Sequence, residues 1–231
     1  MLVAGEAREF SGLRRHLPPL TGLQWPVAYA AGVKVRDRRL ILVANGPGYR
    51  LAAEAMGLAG SGERVDVFVS TGFCGALDPA LAPCEVVVAS QVKDADEGAA
   101  YAVSSLAGPR VVRTATFIST DRVIGSVEEK RRLRAATGGD VVDMESAVVA
   151  RHAAARGVPF ACVRVVSDTA DEGFVCDFNQ ARDAEGRFRR RWILGAALRR
   201  PRLVVPELVR LQRRSRRAAA ALGEFLVNCE F

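Results

Sequence analysis

The feature that most constrains the fold is a buried-type strand at residues 158–168, apolar and β-branched until it ends in Ser167 and Asp168. Similar apolar runs occupy residues 64–72 and 86–94, and segments with helical periodicity separate them. Strands this apolar are typical of sheets covered by helices on both faces. The sequence therefore predicts an α/β fold of three αβα layers around a central mixed, twisted sheet.

The local patterns predict the following elements. Strands are expected at residues 1–4, 26–35, 39–45, 64–72, 86–94, 110–117, 140–143 and 158–168. Helices are expected at residues 6–16, 45–60, 126–138 and 145–157, and Ser126 with Glu129 fits a capping box at the start of the third. Two segments are predicted to lack regular structure: a Gly- and Pro-rich loop at 72–85 and a mobile loop or lid at 94–109.

The composition changes after Asp177. Residues 187–217 contain twelve arginines and no lysine, and we expect two helices broken near Pro201 to Pro206. We predict a catalytic-type domain over residues 1–180 and an Arg-rich helical extension over 181–231, packed on the same domain.

Three interpretations of this extension stay open. It is a solvated or oligomer-contacting face, or it meets anionic lipid through the apolar side chains of Trp192, Ile193, Leu194 and Leu198, or it binds nucleic acid. Base-stacking aromatic residues and a known motif are missing, so we expect no nucleic-acid partner.

The five cysteines are scattered, and neither they nor the two histidines have metal-ligand spacing. This pattern predicts no disulfide framework, no metal and no cofactor, and it favours the cytoplasm. The first residues lack the features of a signal peptide, and no apolar run is long enough to span a bilayer.

Acids at predicted strand ends are the candidate chemistry. Ligands of open α/β sheets bind at the carboxyl ends of strands, where Asp168 and Glu145 fall. From the pattern alone, Asp168 is either a cap for the next turn or a functional acid. Glu145 opens a helix, a position that favours an acid whether or not it binds anything.

Several long segments resemble the nucleoside phosphorylase/nucleosidase superfamily, and among its members the methylthioadenosine/S-adenosylhomocysteine nucleosidases. They are "VANGPGYRLAAEA", "VFVSTGFCGALDPALAPCEVVVASQVKDAD" and "VVDMESAVVARHAAARGVPFACVRVVSDTADE". The later segment "LGAALRRPRLVVPELVRL" resembles a narrower branch, the hopanoid-associated nucleosidases, which act on adenosylhopane. The resemblance implies a nucleoside phosphorylase-like fold and cleavage of a purine nucleoside.

The resemblance also implies roles for individual acids. Asp168 would hold or deliver a proton near N7 of the purine, with Ser167 orienting it, and shelter at the end of an apolar strand would favour keeping that proton. Glu145 would bind the ribose hydroxyls and place negative charge near the developing sugar cation. Glu9, or failing that Glu6, would activate the attacking water.

The remaining substrate contacts follow from the same resemblance. Thr71, Gly72 and Phe73 fall in the ribose loop, and Asp143 belongs to the acid-Met-Glu stretch. Met144 packs against ribose in the family, although core filling is an equally good role. Val123 stands where the nucleosidases carry an aromatic residue against adenine, so Phe73 or Phe117 could stack instead.

Two positions where this sequence departs from the phosphorylases of the superfamily bear on the identity of the nucleophile. Phosphorylases bind phosphate through an Arg before the Gly-rich loop and a Ser or Thr inside it, and the matching positions here are Ser70 and Phe73. Because Arg suits phosphate and these residues do not, we predict a hydrolase using water. Arg8 or Arg50 could supply a cation, which leaves a phosphorylase as the alternative. A third alternative is an inactive membrane-surface or scaffold protein of the same fold. The family implies a homodimer or larger homo-oligomer.

Overall fold

The computed structural model describes residues 1–58, 64–106 and 112–229. Within them the strands are β1 Leu2–Ala4, β2 Thr21–Gly22, β3 Tyr29–Val35, β4 Arg38–Ala44, β5 Phe68–Ala76, β6 Val86–Asp94, β7 Ala100–Ala102, β8 Arg113–Ser119, β9 Val141–Asp143 and β10 Phe160–Asp168. The helices are α1 Tyr49–Leu58, α2 Val127–Thr137, α3 Ser146–Ala155, α4 Arg190–Arg199 and α5 Pro201–Val227. The predicted capping box of α2 is present.

The strands form one mixed sheet in the order β10-β6-β8-β9-β5-β1-β4-β3-β2, with β7 paired to β6. β10 also pairs with β5, so five strands close into a ring. β5 and β10 run parallel, whereas β9 runs antiparallel to β5. This closure brings the end of β10, the middle of β5 and the start of α3 to one place.

The sheet separates the two larger of the three apolar clusters that the described residues form. Met56 of α1 and Val149 of α3 belong to the core on one side. Leu222 of α5 belongs to the other, with Phe10 and Leu13 from the N-terminal segment. The predicted α/β fold with helices around a central mixed sheet is confirmed.

Residues 6–16 do not form the predicted helix. They form two 3-10 turns, Ala7–Phe10 and Leu13–Arg15. Gly12 lies between the turns, and a Cβ there would be 1.8 Å from the carbonyl oxygen of Ala219 in α5. The backbone of this segment is shaped by a close approach of α5, which local periodicity does not contain.

The segment 72–85 is not a loop throughout. β5 continues to Ala76, because Phe73 and Cys74 pair with β10 and Gly75 pairs with β9. The strand begins at Phe68 instead of residue 64. Segment 94–109 contains β7, which pairs with β6. Predicted residues 59–60 of a helix, 107–109 of the lid and 110–111 of a strand lie outside the described residues.

The Arg-rich extension forms two helices, as predicted. α4 ends at Arg199 and α5 begins with Pro201, which suits a first helical turn because its missing N–H has no partner there. Pro206 lies inside α5, so the break is confined to Arg200. In the described part of the chain, no helix combines the length and apolar character needed to cross a membrane.

Side chains of both signs attach α5 to the loop after β10. Glu207 of α5 accepts two backbone N–H groups of this loop at 2.7 and 3.1 Å. Glu172 accepts from Arg210 at 2.9 Å and also from Arg214. The extension is thereby tied to the strand that ends in Asp168, while the domain boundary at residue 180 stays a prediction.

Candidate active site

A cavity of about 800 Å³ opens where β9 and β10 end, beside Phe73, Cys74 and Gly75 of β5. Its size suits a small organic ligand, for which such clefts are typical. The predicted site residues in its lining are Glu9, Phe73, Val123, Asp143, Met144, Glu145, Ser167 and Asp168. The fold therefore brings together acids that are up to 159 positions apart in the chain, from Glu9 to Asp168.

A buried arginine, Arg164, organises the acids at one end of the cavity. Arg164 of β10 is fully buried and donates to the Thr71 carbonyl and the Ser70 hydroxyl, both at 2.8 Å. Its Nη2 lies 3.2 Å from Oε2 of Glu145. Its Nε lies 3.1 Å from Oδ2 of Asp143, an ion pair without hydrogen-bond geometry. This cation offsets the cost of burying two carboxylates side by side.

Glu9 is buried at the first 3-10 turn and points into the same cluster. Its Oε1 accepts the N–H of Phe73 at 3.3 Å, and its Oε2 accepts that of Glu6 at 3.2 Å. Burial, reinforced by the charge of Glu145, raises the pKa of Glu9 to about 7 although Arg164 opposes the shift. A carboxyl group that titrates near neutrality is suited to exchange protons as a general base.

Glu145 is held at the start of α3 by groups on both sides. Its Oε1 accepts the N–H of Gly48 at 3.1 Å. Burial raises its pKa, Arg164 opposes that shift and Asp143 adds to it. Oδ1 of Asp143 accepts the backbone N–H groups of Glu145 and Ser146 at 3.2 and 3.1 Å, so Asp143 caps this helix as well as lining the cavity.

Thr71 and Gly72 lie behind the cavity wall. The Thr71 carbonyl holds Arg164, and Gly72 adopts a φ of +131°. A Cβ on Gly72 would be 2.5 Å from Glu9 and 2.8 Å from Arg164, so only glycine allows this approach. Met144 is half-buried and lines the cavity itself.

The Asp168 carboxyl group has partners on both oxygens. The Ser167 hydroxyl lies 2.6 Å from Oδ1 and 3.0 Å from the Cys74 carbonyl, and Lys130 donates to Oδ2 at 2.5 Å. Because Ser167 has one proton, two arrangements exist. It donates to an ionised Asp168, or a protonated Asp168 donates to it while it donates to Cys74. The pair can therefore hold an exchangeable proton.

The two aromatic candidates for stacking differ in position. Phe117 is fully buried in the core beneath the sheet, so the idea that it stacks on a base is wrong. Phe73 is half-buried and lines the cavity. Val123 also lines the cavity, and its N–H and carbonyl both bind the Asn179 side chain at 2.8 Å.

An aromatic group that sequence reasoning missed faces the same cavity. The ring centroids of Phe174 and Phe178 are 5.2 Å apart, and those of Phe178 and Phe188 are 6.0 Å apart. The N–H of Phe174 donates to the Gly125 carbonyl at 2.8 Å. Phe174 therefore lies near Val123, where the nucleosidases carry an aromatic residue and this chain does not. These rings follow β10 in a segment without regular periodicity, so no sequence signal located them.

The helical extension supplies one wall of the cavity. The lining side chains from α4 and α5 are Ile193, Leu208, Leu211, Gln212 and Ser215. Sequence reasoning placed the extension on the domain but not over the cavity. It also missed Arg164 and Lys130, although a charge inside an otherwise apolar strand was a visible signal for Arg164.

Comparisons with known proteins bear on the family and the fold. The family model described as the phosphorylase superfamily matches residues 97–191. The 5′-methylthioadenosine/S-adenosylhomocysteine nucleosidase of Staphylococcus aureus is 29% identical over 171 residues, which cover 63% of this chain and 75% of that protein. The resemblance to the nucleoside phosphorylase/nucleosidase superfamily is confirmed.

Solved structures match over almost the whole chain. The corresponding nucleosidase of Neisseria meningitidis, in complex with methylthio-immucillin-A, gives a TM-score of 0.70 at 18% identity and covers 97% of this chain and 96% of that one. A mutant Helicobacter pylori nucleosidase with 5′-methylthioadenosine in its active site gives 0.74 at 15% identity, with coverages of 98% and 95%. A futalosine hydrolase mutant of Helicobacter pylori gives 0.70 at 15% identity, covering 98% and 96%. At these identities the likeness concerns the fold.

Proposed function

We propose that this protein is a purine nucleosidase that hydrolyses the N-glycosidic bond of an adenine nucleoside. The observation that carries the proposal is the meeting of Asp168, Glu145 and Glu9 in one cavity, each with partners that suit a different task. The nucleosidases among the relatives support the same reaction class.

Departure of the base is assigned to Asp168. The C1′–N9 bond breaks with its electron pair moving to the purine, and the proton held between Asp168 and Ser167 passes to N7. A neutral purine leaves more readily than an anion, and a positioned acid typically contributes about 10²–10⁴-fold to such a step.

The sugar and the water are assigned to the acids around Arg164. Glu145 accepts from the ribose hydroxyls and stabilises the positive charge that develops on the sugar ring. Glu9 takes the proton of a water molecule whose oxygen bonds to C1′. Its pKa of about 7 leaves it sufficiently ionised at neutral pH for this role.

Water is favoured over phosphate by the surroundings of these acids. The buried Arg164 is engaged by Asp143, Glu145 and the Ser70 hydroxyl, so it does not offer a free fork to a phosphate. Arg8 lines the cavity but pairs with Glu6 and is largely exposed.

The apolar wall suggests a nucleoside whose 5′ substituent is apolar. Leu208 and Leu211 of α5, Ile193 of α4 and the phenylalanine group together form more hydrophobic lining than a bare ribose requires. A methylthio group fits such a wall, and so does a larger lipid-like group such as the hopane of adenosylhopane, which the resemblance of the extension suggests.

We also propose a peripheral membrane contact for a protein of the cytoplasm. Of the four residues predicted to meet lipid, Leu194 and Leu198 expose 66 and 79% of their surface. Trp192 is half-buried and Ile193 lines the cavity, so neither supports the contact as predicted. Leu203, 57% exposed, extends the apolar patch beside the exposed Arg199 and Arg202. Apolar side chains flanked by arginines suit an anionic lipid surface. Sedimentation with anionic phosphatidylglycerol vesicles and neutral phosphatidylcholine vesicles tests this contact. We expect the protein to pellet with the anionic vesicles and the double variant Leu194→Asp, Leu198→Asp to stay in solution. If the double variant pellets as the wild type does, the proposed contact is contradicted.

The homo-oligomer implied by the resemblance is tested by measuring the molecular mass of the protein in solution by light scattering.

The reaction is tested by incubating the purified protein with methylthioadenosine in phosphate-free buffer and measuring adenine. We expect release without phosphate, and free reducing sugar in equal amount. Release that requires phosphate and yields a sugar phosphate would assign the protein to the phosphorylases. No release with any adenine nucleoside would support the inactive alternative.

A further inference from the structure

We propose that Lys130 of α2 is a positioning residue that holds the Asp168 carboxyl group at the base end of the cavity. The proposal rests on the nucleosidase function proposed above. It concerns a side chain that does not line the cavity and acts on the reaction through Asp168.

The ammonium group of Lys130 is completely hydrogen-bonded by Asp168 at the end of β10 and by the loop that follows this strand. It donates to Oδ2 of Asp168 at 2.5 Å, to the Thr169 carbonyl at 2.6 Å and to the Glu172 carbonyl at 2.9 Å. These three bonds use all the protons that an ammonium group has. Lys130 therefore fixes both the carboxyl group and the chain that follows it.

The burial of Lys130 is unusual for its residue type. Its side chain is 0% exposed, and lysine is almost never fully buried unless it is paired. Where only packing matters, an apolar side chain of similar volume is often as stabilising as a buried ion pair. A buried ammonium group beside a candidate acid is thus better explained by what it does to that acid.

The contact divides the two oxygens of Asp168 between two tasks. Oδ2 is held by Lys130, and Oδ1 shares a proton with Ser167. Only the Oδ1 side is therefore left for proton exchange with a base. Lys130 also lies 5.8 Å from the ring centroid of Phe174, which lines the cavity, so its positive charge is close to where a departing purine gathers electrons.

The loop after Asp168 has other supports. Glu172 is held by Arg210 and Arg214, and its Oε2 accepts the N–H of Thr169 at 3.0 Å. Removal of Lys130 should therefore leave this loop anchored and release the Asp168 side chain first.

The test is a double-mutant cycle with Lys130→Met and Asp168→Asn, measured by adenine release and by calorimetric adenine binding. We expect Lys130→Met to lower kcat about 100-fold with KM changed by less than about threefold. In the Asp168→Asn background the same change should cost less than about threefold, because residues that act as a unit are not additive. Losses that multiply in full would overturn the proposal.

The controls separate the possible failures. Arg132→Met on the exposed side of α2 removes a charge that pairs only with Glu128 among its described contacts, and it should leave kcat unchanged. If Lys130→Met does not fold, Lys130→Gln replaces it, and failure of both to fold would assign Lys130 to folding and contradict the proposal. A wild-type protein that neither hydrolyses methylthioadenosine nor binds adenine would overturn the proposed function. A wild type that does both, with Lys130→Met unchanged, would overturn only the role of Lys130.

Discussion

The acidic end of the cavity and its helical wall are built in opposite ways. At the acidic end, buried charges are fixed by several named partners each, as Arg164 is by Asp143 and Glu145. The wall combines three apolar side chains with Gln212 and Ser215, and the exposed surface of its helices includes Leu194 and Leu198. Under the proposed function, this difference predicts that the acidic end carries out the chemistry, whereas the helical wall selects the nucleoside by its 5′ substituent.

The largest effect is expected for Asp168→Asn, which removes the exchangeable proton but keeps the shape of the side chain. We expect kcat to fall about 10³-fold for every adenine nucleoside, whatever its 5′ substituent. Asp37→Asn, in an exposed turn between β3 and β4, is the matched control and should have no effect. If the loss of kcat depends strongly on the 5′ substituent, the acidic end and the helical wall do not act separately on chemistry and on selectivity.

The second effect is a pH dependence set by Glu9. Its pKa is raised to about 7, so the carboxylate that accepts the proton of water is present above that pH and lost below it. We expect kcat/KM to fall about tenfold per unit below pH 7, and Glu9→Gln to lower it about 100-fold at pH 8. The matched control is Glu6→Gln, in which kcat/KM should still fall below pH 7. If this fall disappears in Glu6→Gln, Glu6 is the base instead of Glu9.

A smaller effect is expected at the helical wall. Replacing Leu208 and Leu211 by Ala should raise KM about tenfold for a nucleoside with an apolar 5′ substituent and leave that for adenosine unchanged, since one lost apolar contact typically gives about 10–200-fold discrimination. Leu203→Ala, on the exposed face of α5, is the control. An equal rise in the KM for adenosine would mean that the wall contacts the adenine or the ribose instead of the 5′ substituent.

The smallest effect is expected where the two regions join. Although partial burial opposes it, hydrogen bonds from Arg214 and the Thr169 N–H hold the pKa of Glu172 at about 2. Arg214→Met should therefore lower the free energy of unfolding by about 1–2 kcal/mol at pH 7, after allowance for solvent screening. A lowered carboxyl pKa stabilises above the unfolded value of about 4.5, and the difference should vanish as pH falls toward 2. A pH-independent difference would indicate lost packing instead of lost charge, with Arg213→Met as the exposed control.

The sequence predicted the acidic end better than the wall for a physical reason. Asp168 and Glu145 sit at strand and helix ends, where local periodicity locates a residue without knowledge of distant contacts. Lys130 is part of a helix with a polar sequence, and only the packing of α2 on the loop after β10 reveals that it is buried. The prediction of a helix over residues 6–16 was wrong for the same reason, because the close approach of α5 to Gly12 determines the backbone there.

The wall illustrates the same limit on a larger scale. The pattern of residues 187–217 predicted two helices, but amphipathic periodicity cannot say which surface a helix covers. The aromatic group around Phe178 was missed because its members lie in a segment without period. Contacts that depend on tertiary packing were therefore the part that local patterns could not supply.

The most direct test of the central claim is a crystal structure of the Asp168→Asn variant soaked with methylthioadenosine. The account predicts N7 of the base within about 3 Å of the side chain at position 168 and the ribose hydroxyls within about 3 Å of Glu145. It also predicts the methylthio group against Leu208 or Leu211. A nucleoside bound in the opposite direction, or outside this cavity, would contradict it.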